Sequence, residues 1–90
     1  MPTVHLLIEG RVQGVFYRAS AKEMADKLGI TGWVKNTPEG NVEILAKGKE
    51  GDIEEYINWC KQGPPKAVVT NLAVTKKDDT LVLQGFEILR

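Results

Sequence analysis

Gly10-Arg11-Val12-Gln13-Gly14-Val15-Phe16-Tyr17-Arg18 separates two different periodicities. Before it, Val4, Leu6 and Ile8 alternate with His5, Leu7 and Glu9, the period of two that marks a strand with one apolar face. After it, over residues 18–28, Ala21, Met24, Ala25 and Leu28 recur at i, i+3, i+4 and i+7, one side of a helix. Eight residues lie between Glu9 and Arg18, whereas a strand-to-helix connection usually takes about 2–6. Gly10 and Gly14 open backbone conformations closed to other residues and let an anion approach closely. The amides of such a loop, backed by a helix start, suit a phosphate that Arg18 grips from the side.

Beyond the helix, Gly29 supplies a left-handed stop and Ile30 the apolar contact that often accompanies it. Lys22–Asp26 and Glu23–Lys27 are opposite-charge pairs on the wet side. Residues 31–36 read as a second strand, and Thr37-Pro38-Glu39-Gly40 as a type I turn. Val42, Ile44 and Ala46, alternating with Glu43, Leu45 and Lys47, form the returning arm of a hairpin. After a polar break at 47–51, Asp52 and Glu55 have the spacing of a capping box. Ile53, Tyr56, Ile57 and Cys60 then repeat the helical stripe, and Gly63-Pro64-Pro65 ends it. Residues 67–74 read as a fourth strand, 76–80 as a charged turn, and 81–89 as a fifth apolar run broken at Gln84-Gly85.

Strand, helix, strand, strand, helix, strand, plus one added strand, is the split βαβ pattern. The expected fold is α+β and ferredoxin-like, with two helices on one face of a mostly antiparallel five-stranded sheet. Strand three should lie between strands one and two, and residues 1–90 should form one domain. Strands one and two then run parallel without being adjacent, with their carboxyl ends on one rim. The loop and Asn36 would face each other across about 10 Å, room for a phosphate and a water.

Twelve basic and twelve acidic side chains balance. That argues against a protein bound mainly to nucleic-acid backbone, and against an electrostatic membrane anchor. Cys60 is the only cysteine, so no internal disulfide forms and a reducing cytoplasm is the expected home. The N-terminus lacks a basic segment followed by a long apolar run, so neither a signal peptide nor a membrane span is expected.

Arginine offers a flat fork of donors suited to phosphate oxygens. The alternative for Arg18 is a solvated residue in a first helical turn, a poor site because the helix dipole favours anions there. The residues weigh these two readings about evenly. No Ser, Thr, Asp or Asn stands in the four positions before Arg18, which tips the balance toward an anion on the open amides, although Ser20 could cap a helix that began later. Asn36 could orient a water through its amide, but as an asparagine before a turn it reads first as a turn residue. There is no Gly-Lys-Ser/Thr, so this is no Walker loop. The sole histidine, His5, excludes a histidine-cluster metal site and is expected on the outer sheet face. Cys60 reads as core rather than nucleophile. Ser20 has neither a base at recognisable spacing nor a Gly-x-Ser-x-Gly setting. Tyr56 and Trp59 read as packing residues, and Asp78-Asp79 as a solvated turn.

Together, the 10–18 stretch, Leu28-Gly29-Ile30-Thr31-Gly32-Trp33-Val34-Lys35-Asn36, Gly40-Asn41-Val42-Glu43 and Gly63-Pro64 resemble the acylphosphatase family, in order and spacing, over nearly the whole chain. The resemblance implies hydrolysis of the carboxyl–phosphate bond of small acyl phosphates without metal or cofactor. It implies that Arg18 and Asn36 are catalytic, Arg18 binding the phosphate and Asn36 holding the attacking water. Amides of Val12, Gln13, Gly14, Val15, Phe16 and Tyr17 would cradle the phosphate oxygens together with Arg18. Tyr17 stands where phenylalanine is common in the family, a change that should be tolerated. The implied partners are an acyl phosphate substrate and inorganic phosphate as product and inhibitor. Nucleic acid and membrane are not expected, and a monomer is. The module also resembles the front end of a larger hydrogenase-maturation protein with zinc-binding cysteine repeats. With one cysteine and a last residue at Arg90, the free-standing enzyme is the better match.

The rival class is a binding module, since split βαβ domains also bind RNA or regulatory ligands. An RNA-reading sheet would carry aromatic residues on strand three in a basic, glycine-led motif. Val-Glu-Ile-Leu-Ala-Lys at 42–47 has none.

Overall fold

The structure is a computed structural model that describes residues 1–89; Arg90, which the expected domain includes, lies outside them. The elements are β1 (Thr3–Arg11), α1 (Tyr17–Leu28), β2 (Thr31–Asn36), β3 (Val42–Lys47), α2 (Glu50–Gln62), β4 (Val68–Lys76) and β5 (Phe86–Ile88). They build one five-stranded sheet in the order β4-β1-β3-β2-β5. β3 is antiparallel to both β1 and β2, so β1 and β2 point the same way with one strand between them. This is the α+β, ferredoxin-like architecture that the order of elements implies.

The alternation in β1 and β3 sorts side chains onto two faces. Val4, Leu6 and Ile8 from β1, Val34 from β2, and Val42, Ile44 and Ala46 from β3 are buried on the helix side. Ala21 and Ala25 of α1 and Ile53, Tyr56 and Cys60 of α2 meet them, while Met24, Leu28 and Ile57 pack at the margin. Cys60 is fully buried, and burial pushes its thiol up to about 12, so it serves as a small core hydrophobe. The opposite face carries His5, whose Nε2 lies 2.7 Å from the Glu43 carboxylate and whose ring meets Trp33 edge-on.

Several expectations needed correction. β1 does not stop before Gly10. It continues to Arg11 across a register shift between Glu9 and Gly10, pairing with Val68 and Val69. Gly10 permits this: its φ is 130°, and a Cβ there would lie 2.1 Å from the Val68 carbonyl oxygen. The loop proper is therefore residues 12–16, an ordinary strand-to-helix connection and not an overlong one. α1 starts one residue early, at Tyr17, and closes at Gly29, with Ile30 N–H on Ala25 C=O at 2.8 Å. Of its two expected ion pairs, Lys22–Asp26 forms at 2.9 Å; Glu23–Lys27 does not, among the described residues.

α2 begins at Glu50 with Lys49 as N-cap, so Asp52 is a first-turn residue and not the cap. The helix dipole stabilises an acid in either position, which is why spacing alone misplaced the start. β4 runs to Lys76 rather than ending at Val74, extended by its pairing with Val4 at the start of β1. The fifth apolar run contributes a strand only at Phe86–Ile88, and that strand runs parallel to β2, so the sheet is mixed. β4 and β5 occupy opposite edges, and residues 77–85 connect them along one rim. Lys47 Nζ donates to the Asp79 and Leu81 carbonyls there, and Asp79 accepts from Thr3 N–H. β5 therefore rises beside β2 toward the rim where β2 ends. Among the described residues no helix is long and apolar enough to cross a membrane.

Candidate active site

The loop leaving β1 and the end of β2 share a rim because both strands run the same way. Gly14, with φ 73°, turns the loop left-handed; a Cβ there would meet nothing within 4 Å, so backbone conformation rather than space explains the glycine. Phe16 is also left-handed, at φ 64° and ψ 22°, and is the only non-glycine residue with positive φ among the described residues. It is the N-cap of α1, yet no side chain caps this helix and its first turn holds no acidic residue. Ser20 N–H reaches the Phe16 carbonyl at 3.0 Å, so Ser20 continues the helix and does not cap it. Among the described residues, no acceptor takes the amides of Gly14, Val15, Phe16, Tyr17, Arg18 or Ala19. Gly14, Phe16, Tyr17, Arg18 and Ala19 border one mouth, and the positive end of the helix dipole lies at it.

That mouth is a cleft of about 410 Å³. Val12, Gly14, Phe16 and Tyr17 line it from the loop and helix start, and Arg18 and Ala19 from the first turn. Asn36 enters from β2 and Ile88 from β5. The topology thus brings Arg18 and Asn36 into one cavity. Gln13 and Val15 do not line it. Val15 packs against the core. Gln13 instead braces the site: its Nε2 donates to the Thr37 and Asn41 carbonyls at 2.9 and 2.8 Å. The turn after Asn36 is closed on itself by Thr37 N–H to Asn41 C=O at 2.9 Å. Gln13 straps that turn to the loop, which fixes the separation of the two walls.

Among the described residues, Arg18 is the only charged side chain lining the cleft. It is half-buried, and its Nη1 makes a long 3.4 Å contact to the Leu89 carbonyl. Asn36 is the last residue of β2, opposite Val42. Its Oδ1 is buried with no hydrogen-bond partner among the described residues, a state that costs about 1–3 kcal/mol. Such a group calls for an explanation in the chemistry of its site. Tyr17 divides its parts: the ring is buried, and its hydroxyl donates to the Cys60 carbonyl at 2.7 Å. Burial raises its phenol well above the ordinary value. The hydroxyl that distinguishes it from phenylalanine has a partner in the last turn of α2.

Ala19 and Ile88 were not singled out from the sequence. Ala19 follows Arg18 on a helix face that the stripe assigns to solvent. Ile88 reaches the cleft only through the parallel pairing Val34↔Ile88, a tertiary fact with no local signature. Among the described residues, no group of three or more His, Cys, Asp or Glu could hold a metal ion.

Comparison with known proteins shows the family and the fold. The acylphosphatase family profile matches residues 4–88. An acylphosphatase of Methylococcus capsulatus is 48% identical over 100% of this chain and 98% of its own. The crystal structure of acylphosphatase from Bacillus subtilis superposes with a TM-score of 0.96 at 37% identity, covering 100% of both chains. Crystalline T. kodakarensis HypF is similar at a TM-score of 0.87 and 26% identity, over 100% of this chain but 12% of that one.

Proposed function

The chain belongs to the acylphosphatase family, and we propose that it hydrolyses the carboxyl–phosphate bond of small acyl phosphates in the cleft between α1 and β2. The observation that carries this reading is the meeting on one cavity of Arg18, Asn36 and a helix start whose amides have no acceptor among the described residues. The amides of Gly14, Phe16, Tyr17 and Arg18 take the phosphate oxygens, and the guanidinium neutralises the charge that spreads over them as the bond stretches. Asn36 holds a water through its side-chain amide and sets it in line with the scissile bond.

The water oxygen attacks phosphorus while the bond from phosphorus to the acyl oxygen breaks. The carboxylate leaves with that electron pair, and one water proton passes to a phosphate oxygen. A carboxylate has a pKa of about 4, so it departs without a proton donor. Positioning and charge stabilisation therefore suffice. Inorganic phosphate, the second product, occupies the same cradle and inhibits competitively. The catalytic groups come from one chain, so a monomer is active, and the lone buried thiol suits a reducing cytoplasm.

Hydrolysis of benzoyl phosphate tests this. Wild-type protein turns it over, while Arg18→Ala and Asn36→Ala each lose at least about 10²-fold, as when a single oxyanion donor is lost. Circular dichroism should show both variants folded. Folded variants that keep most of their activity would contradict the assignment.

A further inference from the structure

The cleft has two kinds of wall, and the phosphate chemistry uses only one of them. Large apolar side chains are costly to leave in water, and here Phe16 is 75% exposed and Ile88 41% exposed. Both line the cavity that holds Arg18 and Asn36. Phe16 also breaks two local rules. A bulky residue with φ of 64° is uncommon, and the N-cap is a position where Ser, Thr, Asp or Asn would satisfy an amide. Strain of this kind, retained at the edge of a site, points to a function for the side chain so placed. Ile88 has a separate origin. Residues 77–85 carry β5 from the far edge of the sheet to lie along β2, and the strand's exposed isoleucine then joins the same cavity.

We propose that Phe16 and Ile88 form the acyl-binding wall, and that it selects acyl phosphates whose acyl group is uncharged and apolar, aromatic or branched aliphatic. The proposal rests on the acyl phosphate reading above and names its substrate class. The occupant follows from covalent structure. The acyl carbon is joined to the phosphate through one oxygen, so an acyl group on a cradled phosphate lies at the lip of this cavity. Among the described residues, the lining contains no carboxylate to pair with an ammonium group. The one cation among the described lining residues, Arg18, is assigned to the phosphate. An apolar acyl group covers the exposed ring and the isoleucine and removes both from water.

The test is the ratio of kcat/KM for benzoyl phosphate to kcat/KM for acetyl phosphate. Both substrates present the same phosphate, so damage to the cradle lowers both constants and cancels in the ratio. The wild-type ratio should be at least about 10, within the range that apolar pocket contacts supply. Ile88→Ser and Phe16→Asn, asparagine being tolerant of the left-handed conformation, should each lower it by about 5-fold, and Phe16→Leu by less. A ratio unchanged in both polar variants would overturn the acyl wall while leaving the phosphatase assignment standing. A wild-type protein that hydrolyses neither substrate would overturn both.

Discussion

The two helices start in opposite ways. α1 and α2 have 12 and 13 residues, and neither start has a side-chain cap. α2 carries Glu50 and Asp52 in its first turn, so carboxylates of the chain itself complement the dipole and the start is stabilised by about 0.3–1 kcal/mol per acid. α1 has no acid in its first turn, places Arg18 there, and is capped by a left-handed phenylalanine. Helix formation alone would not select that arrangement. The contrast teaches that an unfavourable start can be informative: α2 is completed internally, while α1 is arranged to be completed by an anion that is not part of the chain.

Giving α1 the chemistry of α2 should produce the largest effect. Ala19→Glu puts a carboxylate in the first turn, where it stabilises the helix by about 0.3–1 kcal/mol. It also repels phosphate from the cleft that Ala19 lines. Hydrolysis of benzoyl phosphate should fall at least about 10²-fold, while the melting temperature holds or rises. Retained activity would show that the start of α1 is not an anion site.

The converse change gives a smaller effect of the other kind. Glu50→Lys with Asp52→Asn removes the complement at α2 and should cost about 0.5–2 kcal/mol in urea unfolding. Its kcat/KM should stay at the wild-type value, because that helix start is not part of the cleft. A loss of activity without loss of stability would erase the distinction between the two ends.

The smallest expected effect lies away from both helix starts. His5 hydrogen-bonds Glu43 and, with Lys35 nearby, holds its carboxyl below the ordinary carboxylate value. A depressed carboxylate contributes stability that is present above the unfolded value of about 4.3 and is lost as pH falls through the lower folded value. Glu43→Gln should therefore flatten the acid side of the stability–pH curve by no more than about 1 kcal/mol, since the group is partly exposed. Acid unfolding profiles of the two proteins check this, and identical slopes would assign that pH dependence to other groups.

Much of this was legible in the sequence, for identifiable reasons. The alternation in β1 and β3 and the stripes of α1 and α2 are set by burial on one face, so they can be read locally. Asn36 could be placed opposite the loop because the order of elements makes β1 and β2 run the same way. The bulge at Gly10 could not be read, because it depends on pairing with Val68 and Val69, nearly sixty residues away. The lining role of Ile88 was hidden for the same reason: a three-residue edge strand takes its register from β2, not from its own pattern. The left-handed Phe16 has no local signature, since its residue type argues against the conformation it adopts. The α2 start is not fixed by local spacing, because two acids near a helix start satisfy the dipole whichever of them comes first.

The central claim is that the start of α1 takes a phosphate and the start of α2 does not. The amide resonances of the protein, followed while inorganic phosphate is added, measure it most directly. Gly14, Phe16, Tyr17 and Arg18 should move together along one saturable curve, the amides at 50–53 should stay in place, and Arg18→Ala should abolish the response. Resonances at 14–18 that stay still at saturating phosphate, or that move no more than those at 50–53, would contradict the account.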